Sequence, residues 1–169
     1  MKHLTIIRHA KSSWASAAST DFDRPLNARG ERAAPQMARY LHETIQLKPD
    51  YVLSSPALRA ISTARIIAPV LGISEGEIVQ NQAIYNSDLQ TLVFAIREIP
   101  NAYAKAMLFG HMPGVAELVH FLAGSVPDHY PTCGVAMLEL NLNRWADANL
   151  SCGKLTTFLF PKMLDGEAQ

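Results

Sequence analysis

Short apolar runs alternate along the chain with amphipathic segments of helical period. The β-branched run from His3 to Ile7 predicts a first strand, and Ala106–Phe109 predicts a strand that is buried on both faces. The other runs that predict strands are Tyr51–Leu53, Ile78–Val79 and two late segments, Val135–Leu142 and Leu155–Phe160, which are candidates for a hairpin.

Capping signals bound the first two predicted helices. Asn27 is a suitable N-cap for a helix that runs to about Gln46, and Pro35 inside it predicts a kink or a later start. Ser55-Pro56 predicts an N-cap followed by proline at the first helical position. That second helix is expected to end at Gly72.

Two more helices and a long loop complete the pattern. A capping box at Ser87–Gln90 predicts a helix that stops before Pro100, and a later apolar stripe ends at Gly124. Residues 11–20 are polar and rich in Ser and Ala, so they predict a surface loop of unusual length.

The alternation of strands and helices predicts an α/β fold, a three-layer α/β/α sandwich with a mostly parallel central sheet. The chain has 169 residues, which suits one hydrophobic core. We therefore expect a single domain over residues 1–164 and a frayed tail over residues 165–169. In such folds ligands bind beyond the carboxyl ends of the strands.

Composition excludes several classes of protein. Apolar residues make up 49% of the chain, and 15 Lys and Arg balance 15 Asp and Glu, so neither a disordered chain nor a general nucleic-acid binder is expected. No apolar run reaches the roughly 18 residues of a membrane helix, and Arg8 comes too early for a signal peptide. The prediction is a cytoplasmic protein without a membrane partner, with Cys133 and Cys152 as plain thiols rather than disulfide or zinc ligands.

Basic and imidazole side chains follow three of the predicted strands. Arg8-His9 ends the first strand, and Gly110-His111 ends the central strand. Arg59 lies in the first turn of the helix that follows the second strand. Each of these alone is typical of ordinary polar surface. Their combination at one sheet edge predicts a shared pocket.

Such a pocket suits phosphoryl chemistry. Guanidinium groups bind phosphate oxygens bidentately and stay charged, so two Arg and a protonated His can hold a phosphoryl dianion without a metal ion. A His that presents a neutral nitrogen is a competent nucleophile. Phosphoryl transfer depends mostly on positioning and electrostatics.

Four segments of the sequence resemble the motifs of the SixA-type phosphohistidine phosphatases, in the phosphoglycerate-mutase-like histidine phosphatase superfamily. They occur in the family's order and are Arg8–Trp14, Asp23–Gly30, Ser54–Ala64 and Gly110–Gly114. The resemblance implies a phosphoglycerate-mutase-like fold without a metal or other cofactor. It also implies that His9 is the phosphorylated nucleophile, that Arg8 and Arg59 clamp the phosphate, and that His111 donates a hydrogen bond to the phosphoryl group.

The sequence departs from the wider superfamily at three places. Ala10 replaces the common Gly, which agrees with the SixA-like branch, and Met112 replaces a common Asn. Larger relatives supply a Glu general acid before the third helix, whereas residues 81–86 contain no carboxylate here. A missing acid favours P–N over P–O substrates, because an alkoxide leaving group needs a proton donor. Asp21 is either a substitute acid or a loop-capping residue.

Residues of the long loop are further candidates for phosphate binding. Arg24 either adds charge to the pocket rim or pairs with Asp21 or Asp23. Ser12 and Lys11 either donate to the phosphate or are ordinary loop residues. Trp14 either packs the loop down or lines the substrate entrance.

These features predict a phosphohistidine phosphatase that acts on a phosphorylated protein or peptide through phospho-His9 and releases phosphate. One alternative is a general phosphomonoesterase for small esters. Another is a non-catalytic module that binds phosphate or phosphohistidine. A phosphoglycerate mutase is disfavoured by the chain length and the missing acid.

Overall fold

Strands and helices alternate through the part of the chain that the computed structural model describes, residues 1–14, 17 and 20–166. The strands are β1 (Lys2–Arg8), β2 (Tyr51–Ser54), β3 (Ile78–Gln80), β4 (Lys105–Gly110), β5 (Val135–Leu140) and β6 (Gly153–Leu159). The α-helices are α1 (Ala28–Glu43), α2 (Leu58–Val70), α3 (Leu89–Arg97), α4 (Gly114–Ala123) and α5 (Pro161–Leu164).

The strands form one sheet in the order β3-β2-β4-β1-β5-β6. Strands β1 to β4 pair in parallel, whereas β5 runs antiparallel to both β1 and β6. The predicted mostly parallel sheet and the late hairpin are therefore confirmed. Strands β1 and β4 are adjacent in the middle of the sheet, so each has a neighbouring strand on both sides.

Two apolar cores lie on opposite faces of the sheet. Along β4, Ala106 and Leu108 pack with α3 and α4, while Met107 and Phe109 pack with α1 and α2. The continuous apolar run of this strand is explained by the period of two, which sends successive side chains to opposite, equally buried faces. The three-layer sandwich is thus confirmed.

Helix α1 begins where the sequence predicts but ends earlier. The Asn27 side chain accepts a hydrogen bond from the Gly30 N–H at 2.9 Å, as an N-cap does. The helix ends at Glu43 rather than near Gln46. Pro35 lies inside the helix and neither delays its start nor ends it, because the buried apolar face carries the helix through.

Two other helix starts differ from the prediction. Helix α2 begins at Leu58 with Ala57 at the N-cap position, and the Ser55 hydroxyl contacts both the Ala57 N–H and the His111 ring rather than the first turn of the helix. Helix α3 is capped by Asp88, which accepts from the Thr91 N–H at 2.8 Å, and not by the residue before it. The Ser87 hydroxyl instead donates to the Ile84 carbonyl at 3.1 Å, a local bond that competes with capping.

The C-terminal tail is only partly described. Asp165, where the frayed tail is predicted to begin, accepts a hydrogen bond from Gln36 at 2.9 Å. Residues 167–169 lie outside the described part, and the domain bounds stay a prediction. Within the described residues both cysteines are free, and no helix has the length and apolar character needed to cross a bilayer.

Gly30 holds the segment after β1 against helix α1. A Cβ atom at this position would overlap the Lys11 carbonyl oxygen, which also accepts a hydrogen bond from the Asn27 N–H at 3.0 Å. We expect Gly30→Ala to lower the free energy of unfolding by about 1–3 kcal/mol, since the backbone must shift. Gly76→Ala, where a Cβ meets nothing within 4 Å, is the control and should change it by less than about 0.5 kcal/mol. Equal effects in urea unfolding would contradict this account.

Candidate active site

Strand register brings the predicted site residues together at the carboxyl edge of the sheet. Arg8 pairs with Gly110 across β1 and β4, and the His9 N–H donates to the Gly110 carbonyl at 3.1 Å. The Ser55 N–H donates to the Phe109 carbonyl at 3.0 Å. As a result the His9 and His111 rings, more than one hundred residues apart in sequence, have centroids 5.3 Å apart.

A pocket of about 150 Å³ opens over these two rings. Its lining combines predicted phosphate ligands with loop residues: Arg8, His9, Lys11, Ser12, Trp14, Arg24, Arg59, Asn86, His111, Met112 and Thr132. The lining is cationic and contains no carboxylate among the described residues. Nor do three or more His, Cys, Asp or Glu side chains in the described ranges gather as ligands for a metal ion. The arrangement is suited to a small anion.

The orientation of His9 leaves one ring nitrogen available. Its Nδ1 lies 2.7 Å from the Ala10 carbonyl oxygen, which can only accept, so Nδ1 carries the proton. Burial lowers the pKa of His9 to about 3, helped by the nearby His111 and Arg59, against the opposing effect of the Ala10 hydrogen bond. The ring is therefore neutral at pH 7, and Nε2 carries an unshared electron pair.

His111 is held by a hydroxyl of the β2–α2 connection. Its Nε2 lies 2.7 Å from the Ser55 Oγ, which also accepts from the Ala57 N–H at 3.2 Å. Burial, together with the charge of Arg59, lowers the pKa of His111 to about 4. The predicted protonated His is not found here, because this ring is neutral at pH 7. Its Nδ1 is buried and has no hydrogen-bond partner among the residues that the structure describes.

Arg8 is partly anchored and partly unpartnered. One Nη1–H donates to the Tyr130 carbonyl at 2.8 Å, whereas Nε is buried and has no partner within the described part of the chain. Buried polar nitrogens are nearly always paired in folded proteins, so two orphans on the walls of one pocket call for an explanation. An oxyanion among these side chains would supply one.

Arg59 is fixed from two sides. Its guanidinium donates to the Asp21 carbonyl at 2.7 Å and to an Asp21 carboxylate oxygen at 3.0 Å. Behind it, the Thr63 hydroxyl donates to the Arg59 carbonyl at 2.7 Å and accepts from the Ala10 N–H at 3.0 Å. Thr63 therefore ties the helix that carries Arg59 to the backbone that follows His9.

Asp21 is an acceptor for three donors in this arrangement. Arg24, Arg59 and the Tyr85 hydroxyl donate to its carboxylate at 2.9, 3.0 and 2.8 Å respectively. Partial burial raises its pKa, but these hydrogen bonds and the charge of Arg59 outweigh that effect and bring the pKa to about 2. Asp21 is therefore ionised at pH 7, and proton donation would require it to gain a proton first.

The loop residues Ser12, Trp14 and Arg24 form one wall of the pocket. The Arg24 guanidinium donates to the Ser12 Oγ at 2.6 Å and lies 3.3 Å above the centroid of the Trp14 ring. Arg24 thus does both things that the sequence left open, since it lines the pocket and also pairs with Asp21. Residues 15, 16, 18 and 19 of the predicted loop lie outside the described part of the chain.

Several residues that position the site have no such role predicted from the sequence. Ser55 carries the signature of a helix cap, and Tyr85 lies in the segment 81–86, whose notable feature is the absence of a carboxylate. Thr63 had a usable signal, since it follows Arg59 by four residues on one helix face. The Tyr130 carbonyl, which anchors Arg8, had none, because any residue can supply a backbone oxygen.

The two pocket histidines should make stability depend on pH. Their pKa values, about 3 for His9 and about 4 for His111, lie below the ordinary 6.5 that the unfolded chain restores. From pH 6.5 down to about 4 the unfolded chain binds more protons, so the free energy of unfolding falls as the pH drops. We expect His111→Asn to flatten this slope by roughly half in urea unfolding at several pH values. An unchanged slope would contradict the assignment.

Comparison with known proteins agrees with this geometry. The sequence model of the histidine phosphatase superfamily (branch 1) matches residues 4–105. An uncharacterized chloroplastic protein of Arabidopsis thaliana is 31% identical over 156 residues, which cover 87% of this chain and 70% of that protein.

Solved structures share the fold over nearly the whole chain. The protein histidine phosphatase SixA complexed with tungstate superposes with a TM-score of 0.81 at 24% identity, covering 96% of this chain and 99% of that one. A protein of Agrobacterium tumefaciens named for the phosphohistidine phosphatase SixA gives 0.77 at 28% identity, covering 95% and 98%. The chain therefore belongs to branch 1 of the histidine phosphatase superfamily and is a phosphatase.

Proposed function

We propose that this protein is a phosphohistidine phosphatase that works through a covalent phospho-His9 intermediate. The observation that carries the proposal is the state of the His9 ring, with Nδ1–H bound to the Ala10 carbonyl and Nε2 neutral among cationic side chains. A neutral imidazole nitrogen held in one orientation beside Arg8 and Arg59 meets the requirements of a phosphoryl acceptor. The resemblance to SixA-type enzymes supports the same reading.

In the first step the substrate phosphoryl group lies among Arg8, Arg59 and His111. The unpartnered nitrogens, Arg8 Nε and His111 Nδ1, are candidates to donate to its oxygens, with Ser55 holding the other ring nitrogen of His111. His9 Nε2 attacks phosphorus in line, its N–P bond forms, and the N–P bond of the substrate breaks. A substrate imidazole that enters protonated on its second nitrogen leaves as neutral imidazole, so no enzyme acid is needed.

The leaving group explains why a P–N substrate fits best. An alkoxide leaving from a phosphate ester gains about 10²–10⁴-fold from a positioned proton donor. The lining of the pocket offers no carboxylic acid among the described residues, and Asp21 at its edge is ionised with a pKa of about 2. A phosphoramidate nitrogen carries its own proton and avoids this barrier.

Hydrolysis of the intermediate uses the same groups. Phospho-His9 keeps its Nδ1–H bound to the Ala10 carbonyl, so the ring is a cationic, readily displaced leaving group. Water attacks phosphorus, the His9 N–P bond breaks, and neutral His9 and dihydrogen phosphate result. The backbone contact to Ala10 thereby serves both steps, because it fixes one tautomer throughout.

The exposed side chains at the rim of the pocket favour a substrate in which the phosphorylated residue belongs to a protein or peptide. Trp14 is 80% exposed and Met112 is 38% exposed, and both line the opening. Large apolar side chains at a rim favour contact with a second surface. A phosphorylated protein or peptide is therefore the proposed partner, and phosphate is the product.

A comparison of two substrates tests the P–N preference. We expect kcat/KM for a phosphohistidine peptide to exceed that for the matched phosphoserine peptide, whose leaving group is an alkoxide, by at least about 10²-fold, which is the lower bound for a missing general acid. Asp21→Asn should change kcat/KM for the phosphohistidine peptide by less than about 10²-fold, because an ionised carboxylate does not serve as the general acid. Equal or faster ester turnover would instead favour the general phosphomonoesterase.

A further inference from the structure

A second cavity, of about 590 Å³, opens beside the pocket over the His9 and His111 rings, which we call the phosphate pocket. Lys11 and Thr132 line both spaces, so the two cavities are adjacent. We name this cavity the flanking groove and define it by its cations Lys11, Arg29 and Lys162 and its apolar members Pro131, Phe160 and Met163. It holds neither His9 nor His111, and the proposed chemistry does not use it.

The charge of the flanking groove is one-sided. Lys11, Arg29 and Lys162 are exposed, and none of them forms an ion pair in the part of the chain that the structure describes. No carboxylate lines the groove within those residues. The whole chain has equal numbers of basic and acidic residues, so this concentration of cations is local. It favours an anionic occupant.

The groove also has an apolar side. Pro131, Phe160 and Met163 contribute to its wall, and Met163 is 45% exposed. A simple inorganic anion would not bury this apolar surface. A peptide that carries a carboxylate beside an aliphatic or aromatic side chain would contact both the cationic and the apolar residues of the groove. Because the two cavities share Lys11 and Thr132, a peptide in the groove would lie next to the phosphorylated residue.

We propose that the flanking groove binds an acidic peptide segment with an apolar anchor, adjacent to the phosphorylated residue of a protein substrate. This inference rests on the proposed function, because it assumes that the pocket receives a side chain of a protein. Arg29 belongs to the second of the four motifs but does not line the phosphate pocket, and the groove gives it a role. Rim charges of this kind act mainly through the association rate and its salt dependence.

The proposal is tested by comparing two charge-reversed variants of the enzyme, one in the groove and one outside it. Arg29→Glu with Lys162→Glu reverses the groove, and both positions lie in the first turn of a helix, where Glu suits the helix dipole. Arg32→Glu with Arg39→Glu is the matched control, because it changes the net charge equally at exposed positions of α1 outside the groove. The substrates are two synthetic phosphohistidine peptides of equal length, one flanked by Glu and Leu and the other by Gln and Ser.

The groove variant should lower kcat/KM for the acidic peptide about tenfold, mostly through KM, and less so at high salt. The rates with the Gln/Ser peptide and with inorganic phosphoramidate should stay within about twofold, since neither uses the groove. An equal loss with both peptides, or the same loss in the control variant, would overturn the proposal.

A binding measurement separates this inference from the proposed function. His9→Ala cannot turn over substrate, so fluorescence titration of the labelled acidic peptide into this variant reports binding without hydrolysis, and the groove contribution is the change in affinity when the groove is reversed. We expect about tenfold weaker binding when the groove reversal is added. An unchanged affinity for the acidic peptide would overturn the proposal that the groove binds it. Failure of the wild-type enzyme to hydrolyse inorganic phosphoramidate would overturn the proposed function instead, whatever the binding result.

Discussion

His9→Ala is expected to lower kcat for phosphohistidine hydrolysis by at least about 10⁴-fold, because the variant has no nitrogen on which to form the intermediate. His9 is buried, at 8% exposure, and its Nδ1–H is tied to the Ala10 carbonyl. No other side chain in the described lining combines a neutral nitrogen with this anchoring. The measurement is phosphate release under steady-state conditions.

His9→Asn serves as the control for folding in that experiment. Its side chain is shorter but still polar, so the cavity left in the buried site is smaller than in His9→Ala. We expect a similar loss of activity in both variants, together with a folded thermal transition in His9→Asn. Activity of His9→Asn within tenfold of wild type would show that another group accepts the phosphoryl group.

Arg59→Met should reduce kcat/KM about 10²–10³-fold. The pair that is lost is that of Arg59 with the substrate phosphoryl group, and removing one partner of a buried, hydrogen-bonded charge pair costs about 2–5 kcal/mol. Arg59 is 5% exposed, donates twice to Asp21 and lines the phosphate pocket. Arg59→Lys retains the charge but loses the planar fork, so an intermediate loss is expected. Arg65→Met is the matched control on the same helix, because Arg65 is 46% exposed and lies outside the pocket.

A second readout distinguishes the electrostatic role of Arg59 from mere packing. Its charge lowers the pKa values of His9, His111 and Asp21. Arg59→Met should therefore raise all three, and the imidazole signals in a pH titration by NMR follow the first two. Lost activity with unchanged histidine titrations would mean that Arg59 acts through structure rather than charge.

The convergence of the site was predictable because it follows from strand direction. Parallel strands end at one edge, so Arg8-His9 and Gly110-His111 had to meet once β1 and β4 were adjacent. Asn27 as a cap was equally local, since the Asn side chain reaches the Gly30 N–H within its own turn. These features depend on neighbouring residues and on backbone geometry alone.

Features that depend on distant partners were not predictable in the same way. Ser55 has the sequence signature of a cap, yet its hydroxyl binds His111 from another strand. The neutral state of His111 follows from burial and nearby guanidinium groups, neither of which the sequence displays. The lowered pKa of Asp21 likewise depends in part on a hydrogen bond from Tyr85, 64 residues away along the chain.

The most direct test of the account is to trap the phosphorylated enzyme. Wild-type protein is mixed with a phosphohistidine peptide, quenched in alkali because phosphohistidine is acid-labile, digested and analysed by mass spectrometry. The account predicts one phosphoryl group on the peptide that contains His9, located on His9 by fragmentation and absent in His9→Asn. Turnover of the substrate without any phosphorylated His9, or with phosphate on a different residue, would contradict it.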